Sequence, residues 1–362
     1  MSEIFIGLMS GTSADAIDAA AVDFSTPNGL ALAATHSHPL SEELRARISD
    51  VSSGASDRLD DVMTLSVTLS KAYANCANTL ITKLGGVTPR AIGSHGQTVR
   101  HRPQAGFTVQ LGSGAIIATM TGIPTVADFR STDIALGGQG APLVPAFHQA
   151  VFNIPGKNRA IVNIGGIANI TLLKSDHDTI GFDTGPGNTL LDHWYRIYQD
   201  GPWDEKGTWS THGTVIESLL ARMLDDPYFS QAAPKSTGLE YFNLEWLERH
   251  LSGDENPVDI QATLRALTAH SIAQAINQTC ADIDGVFICG GGARNPALMQ
   301  EIQAAMPVVD ISTTGVLNMD PQWVEASAFA WLARQRIAQQ PGNLPNATGA
   351  SRLAILGSLY LP

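Results

Sequence analysis

The sequence predicts a duplicated α/β fold of two lobes with a ligand cleft between them. Three observations lead there. Each half opens on two apolar runs joined by a glycine-containing turn, residues 4–9 and 16–24 in the first half, 159–163 and 170–173 in the second. A third strand pattern follows in each half, and helical and strand patterns then alternate. The length of 362 residues also exceeds what one typical core fills. No residue-level repeat accompanies the repeated order of elements.

In the first half, the small polar stretch Ser10-Gly11-Thr12-Ser13-Ala14-Asp15 makes the first pair of runs an antiparallel hairpin. Residues 30–38 supply the third strand, and Ser41 with Glu42 and Glu43 starts a helix. A long helical pattern over 60–84 stops at Gly85-Gly86. The brief strand 91–94 ends in Ser94-His95-Gly96-Gln97; a helix over 113–121 leads to strand 124–127 and then Asp128-Phe129-Arg130. The passage Gly137-Gly138-Gln139-Gly140-Ala141-Pro142 marks the boundary, dividing the chain into 1–135 and 136–362. The loop-like tail from about residue 341 is free to pack back on the first lobe.

In the second half, Gly165-Gly166 makes the matching turn, and a strand over 179–182 delivers Asp183. Helices are expected at 188–198, 214–224, 244–250 and 260–280. A strand over 285–289 leads to Gly290-Gly291-Gly292-Ala293-Arg294-Asn295, and Pro296 suits the first turn of the next helix. Residues 308–311 form a last short strand and 324–337 a strong final helix, with Trp323 and Trp331 on its core side.

Composition narrows the function. Hydrophobic content of 44% with 15% charged residues describes a packed globular chain. A formal charge of −12 without a long basic run excludes nucleic acid as the main partner. Cys76, Cys280 and Cys289 form no CxxC pair and read as reduced buried thiols. Neither a signal-peptide pattern nor a membrane-spanning run stands out, so a cytoplasmic protein without a membrane partner is expected.

The chemistry-bearing stretches are glycine turns and strand exits. At Gly11–Asp15, backbone N–H groups, hydroxyls and the nearby carboxylates of Asp15 and Asp18 suit phosphate oxygens. Gly165-Gly166 is a second such turn, and Gly290-Gly291-Gly292 lets a flat ligand or phosphate approach the backbone. Each turn alone is most simply an ordinary turn; their matched placement in two lobes is the stronger observation. Gly181-Phe182-Asp183-Thr184-Gly185-Pro186-Gly187-Asn188 places a carboxylate near a helix N-terminus, where an Asx-type turn is the plain alternative. Glu325 either meets its helix dipole or reaches the cleft. His101, His148 and His270 read as packing or surface residues, and no histidine motif suggests a protein-bound metal. The P-loop, the first-unit dinucleotide fingerprint and the nucleophile elbow are missing.

Several of these segments, together with Gly7-Leu8-Met9-Ser10-Gly11-Thr12-Ser13, Gly138-Gln139-Gly140-Ala141-Pro142-Leu143, Asn163-Ile164-Gly165-Gly166, Pro234-Lys235-Ser236-Thr237-Gly238 and Cys289-Gly290-Gly291-Gly292, resemble the bacterial anhydro-N-acetylmuramic acid kinases. The resemblance covers nearly the whole chain and implies a two-lobed actin/hexokinase-like (ribonuclease H-like) fold. It implies ATP with Mg²⁺ carried on the nucleotide, a homodimer, and conversion of 1,6-anhydro-N-acetylmuramic acid to N-acetylmuramic acid 6-phosphate in peptidoglycan recycling. Asp183 would be the general base. Gly11, Thr12, Ser13, Ala14, Asp15, Ala16, Ile17 and Asp18 would meet ATP in the first turn, Asn163, Gly165 and Gly166 in the second, and Gly290, Gly291 and Gly292 beside adenosine. Ser94, His95, Gln97, Asp128, Arg130, Gly185 and Glu325 would hold the sugar, with Arg130 on its lactyl carboxylate.

This chain departs from the family at the first turn, where a large apolar residue and a glycine are usual and Ala14 and Ala16 stand instead. The expectation is a packing change at Ala14 and a backbone cost at Ala16 if positive φ is needed there. Two other readings remain: a hexosamine kinase acting on a free 6-hydroxyl, and a nucleotide-binding regulatory homologue without turnover.

Overall fold

The computed structural model describes residues 3–11, 14–26, 29–175 and 179–362. The chain forms two compact units, one of Met1–Val151 with Trp323–Pro362 and one of Phe152–Gln322.

The first unit contains β1 (Ile4–Met9), β2 (Ala16–Asp23), β3 (Ala31–Pro39), β4 (Ala91–Ser94), β5 (Gln97–Arg102), β6 (Phe107–Leu111) and β7 (Thr125–Ala127). Its main sheet runs β3-β2-β1-β4-β7 and ends on a tail strand, Ser358–Tyr360. β1 and β2 are antiparallel, as are β2 and β3, whereas β4 is parallel to β1 and β7 to β4. One face of this sheet packs on the Leu59–Lys83 helix, whose Leu65, Leu69, Tyr73 and Leu80 are buried.

The Val324–Ile337 helix lies against Gly7 of β1 and Gly93 of β4. A β-carbon on either glycine would overlap the backbone carbonyls of Ala326 or Phe329, so only glycine permits this approach. Beside the expected division at 135/136, the first unit runs on to Val151 and takes in the final helix, and the tail packs back on it as the sequence allows. The tail is held by buried Asp133, whose Oδ1 accepts from Asn343 Nδ2 at 2.9 Å and Thr348 Oγ1 at 2.7 Å. Its Oδ2 accepts from the Gly140 amide at 2.8 Å, tying the tail to the glycine-rich passage.

The second unit contains β8 (Arg159–Ile164), β9 (Ile167–Leu173), β10 (Ile180–Pro186), β11 (Gly285–Cys289) and β12 (Ile311–Thr313). Its sheet runs β10-β9-β8-β11-β12 with the same sequence of antiparallel and parallel pairings as the first. The duplication is therefore one of topology. The Pro257–Thr279 helix, N-capped by Asn256, buries apolar side chains along its length between the sheet and a second cluster around Trp246 and Phe242.

Two expected elements shift. The strand expected over 308–311 begins at Ile311, and Val308 is 94% exposed. The strand expected to deliver Asp183 at its end continues through it to Pro186. The β5–β6 hairpin and the Val144–Phe152 helix have no counterpart in the sequence reading. Residues 97–102, rich in charged and polar side chains, lack the clean apolar alternation that marks a strand.

Candidate functional site

In the first unit the β1–β2 turn carries part of the expected ATP contacts. Thr12 and Ser13 lie outside the described residues. Ala14 N–H donates to Gly11 O at 3.1 Å and Ala14 has φ 52°, a left-handed conformation uncommon for a residue with a β-carbon. Ala16 is an ordinary β2 residue paired with Pro39. The backbone cost expected at Ala16 thus falls on Ala14 instead. Ile17 is fully buried in the core and paired with His38 of β3, so its side chain is closed to a ligand. Asp15 is exposed and 3.3 Å from Arg45, and Asp18 is half-buried opposite Met9.

The strand exits of the same unit converge on the turn. Ser10 Oγ donates to Gln97 Oε1 at 2.8 Å, and Gln97 Nε2 donates to Gly11 O at 3.2 Å, so buried Gln97 braces the loop. Its side-chain carbonyl and one amide proton are thereby engaged within the protein. Ser94 is buried at the end of β4. His95 N–H donates to Leu8 O at 3.0 Å, and its Nε2 accepts from Arg130 Nε at 3.2 Å and from the Arg130 terminal nitrogen at 2.8 Å. Burial first, then the Arg130 charge, holds the His95 imidazole well below its ordinary pKa and neutral. Asp128 is exposed with φ 57°, its carboxylate accepting from Ser131 Oγ at 2.5 Å. Glu325 is half-buried in the first turn of the Val324–Ile337 helix.

In the second unit the Gly165-Gly166 turn and the Asp183 loop are one construction. Gly187 N–H and Thr189 N–H donate to Gly166 O at 2.9 and 3.1 Å, and Asn188 N–H donates to Gly165 O at 2.8 Å. A β-carbon on Gly187 would overlap the Gly165 carbonyl. Asn163 is buried at the end of β8, and Gly290 and Gly292 pack so closely on Asn163 and Ile164 that neither tolerates a side chain. Those two glycines serve the chain's own packing. Gly291 is the exposed member: a β-carbon there would have no neighbour nearer than Asn188 Nδ2 at 3.7 Å.

Asp183 pairs with Asn169 immediately before a register irregularity between Asp183 and Gly185. Such a bulge re-aims a side chain. Gly185 has φ 148°, and a β-carbon there would come 2.7 Å from the Phe229 ring, so the bend needs a glycine. The loop 228–237 holds Asp183 from outside the sheet. Asp183 N–H donates to Lys235 O at 3.1 Å, Thr237 N–H donates to Asp183 Oδ2 at 3.0 Å, and Tyr228 Oη donates to Asp183 O at 2.7 Å. Lys235 Nζ donates to Tyr228 O at 3.0 Å and stands 4.6 Å from the centre of the Tyr228 ring. Burial lowers the Lys235 pKa, and the Asp183 charge partly restores it. Burial, with Asp183 and Tyr241 nearby, raises that of Tyr228.

Tyr228 escaped the sequence reading because no spacing links it to Asp183. The segment Pro234-Lys235-Ser236-Thr237-Gly238 was visible as a motif, but its contact to Asp183 was not.

The likeness to known proteins extends beyond these loops to the whole chain. The family model for anhydro-N-acetylmuramic acid kinase matches residues 3–362. The chain is 46% identical to an anhydro-N-acetylmuramic acid kinase of Coxiella burnetii, covering 99% of this chain and 97% of that one. It is 47% identical to one of Saccharophagus degradans, covering 99% of each, and 48% identical to one of a Shewanella species, covering 98% of each. The chain belongs to the anhydro-N-acetylmuramic acid kinase family.

Proposed function

We propose that this chain is an ATP-dependent kinase that opens 1,6-anhydro-N-acetylmuramic acid with water and phosphorylates O6, giving N-acetylmuramic acid 6-phosphate and ADP for peptidoglycan recycling. The observation that carries the reading is the near-half identity, over almost the full length, to relatives named for this activity. Asp183 accepts a proton from the water that attacks the anomeric carbon. The bond from that carbon to the bridging oxygen breaks, and the freed O6 attacks the γ-phosphorus as ADP leaves. The Thr237 amide and the bulge fix the carboxylate that must meet the water.

In the first unit the β1–β2 turn around Gly11 and Asp15 meets the phosphates, while Ser94, Gln97, Asp128, Arg130 and Glu325 face the sugar. In the second, Gly165-Gly166 takes phosphate and Gly291 leaves room beside adenosine. Mg²⁺ carried on the nucleotide would offset phosphate charge. We extend the reading to a cytoplasmic homodimer. Among the described residues no helix is long and apolar enough to cross a membrane.

Incubation with Mg-ATP and the anhydro sugar tests the proposal. The expected products are the 6-phosphate and ADP in equal amounts; no 6-phosphate at high enzyme concentration would contradict it.

A further inference from the structure

The sequence reading placed His95 among the residues that touch the sugar. The His95 imidazole is engaged within the protein. Arginine nitrogens only donate, so the contacts of 3.2 and 2.8 Å from Arg130 make His95 Nε2 an acceptor and put the ring proton on Nδ1. The ring is 5% exposed, packed against Phe329 with centroids 4.8 Å apart, and its own backbone N–H is tied to Leu8 O. Gly140 O accepts from Arg130 at 2.7 Å on the other side. Arg130, a partly exposed residue, is therefore held by contacts that include two neutral acceptors, one of them a rigid side chain.

We propose that His95 is a positioning residue that orients Arg130 toward the carboxylate of an acidic anhydro sugar, and so sets the preference for a lactyl-bearing substrate over the same sugar without the acid group. The inference rests on the anhydro-sugar kinase reading. A flexible arginine loses rotamer freedom when it grips a carboxylate, and a side chain that has already fixed it removes much of that cost.

The test compares binding of 1,6-anhydro-N-acetylmuramic acid and 1,6-anhydro-N-acetylglucosamine by calorimetry in the unmodified chain, His95→Leu and His95→Gln. The unmodified chain should prefer the acidic sugar. His95→Leu should lose about tenfold to a hundredfold of that preference, the range of a charge-assisted hydrogen bond, with the neutral sugar and ATP bound nearly as before. His95→Gln, whose Oε1 can accept in place of Nε2, should recover most of it. An unchanged preference in His95→Leu overturns the inference, as does an unmodified chain that turns over the acidic sugar but binds both sugars equally. A chain that neither binds nor phosphorylates either sugar fails at the level of the kinase reading. Should His95→Leu not fold, histidine ¹⁵N spectra of the unmodified protein decide: an unprotonated Nε2 at neutral pH supports the role, and a protonated Nε2 overturns it.

Discussion

The Thr237 amide donates to Oδ2 of Asp183 over 3.0 Å, a contact between residues 54 positions apart in sequence. A backbone donor cannot rotate away, so it fixes one carboxylate oxygen and with it the plane of the group. An asparagine at position 183 still offers an oxygen to this amide. Asp183→Asn should therefore fold normally and bind an ATP analogue as tightly as the unmodified chain. Its kcat should fall about a thousandfold or more, the range expected when a general base is lost. Steady-state kinetics with calorimetry of the analogue measures both; near-normal turnover removes Asp183 from the base role.

Tyr228 acts on the same residue from its backbone side. Tyr228→Phe leaves the ring packing in place but removes the donor to Asp183 O at 2.7 Å. The lost hydrogen bond should cost about 1–2 kcal/mol of stability. With the loop loosened, kcat should drop about tenfold while KM for ATP holds, since the effect runs through the base. Equal losses in every kinetic parameter would instead indicate general damage.

Glycines in the first unit divide by purpose. Gly7→Ala would drive a methyl group into the Ala326 carbonyl and should destabilise the fold by about 3 kcal/mol or more. At Gly11 nothing lies within 4 Å of a β-carbon position among the described residues. Gly11→Ala should leave stability within about 0.5 kcal/mol. Any loss of ATP affinity in Gly11→Ala then reports on the phosphate turn alone. Chemical denaturation and nucleotide titration separate the two.

Acid should loosen the first unit before carboxylates matter. Burial holds His148 at a pKa of about 3; burial with Arg130 holds His101 at about 4 and His95 well below its ordinary 6.5. Unfolded, each imidazole binds a proton as pH falls through about 6.5, while the folded chain keeps it neutral. The stability these groups contribute is present above that value and lost as pH drops from about 6.5 toward the folded values. Tm should fall steadily between about pH 7 and pH 5, with proton uptake on unfolding. His148→Phe should flatten the slope. A Tm independent of pH across that window contradicts the buried neutral histidines.

Much of this was legible in local signals. The paired apolar runs, the glycine turns at Gly11, Gly165 and Gly290, the cap at Ser41 and the helix start at Pro296 follow from chemistry within a few residues. What escaped depends on contacts distant in sequence. Gly7 and Gly93 could be read as strand glycines, but not as the seat for a helix from residue 324 onward. The tail's return to the first unit was open to expectation, but that the helix before it belongs there too was hidden. A positive φ at Ala16 was only a conditional concern; the left-handed residue is Ala14, because Ala16 already pairs in β2. The clamp on Asp183 was invisible for the same reason: Tyr228 and Thr237 reach it only after the loop folds over β10.

The claim that water, delivered to Asp183, opens the anhydro bridge is tested most directly by running the reaction in ¹⁸O-water with Mg-ATP. The N-acetylmuramic acid 6-phosphate formed at first turnover should bear one heavy oxygen at C1 and none in the phosphate. Product without label at C1, or phosphorylation only of a sugar that already has a free 6-hydroxyl, would contradict it.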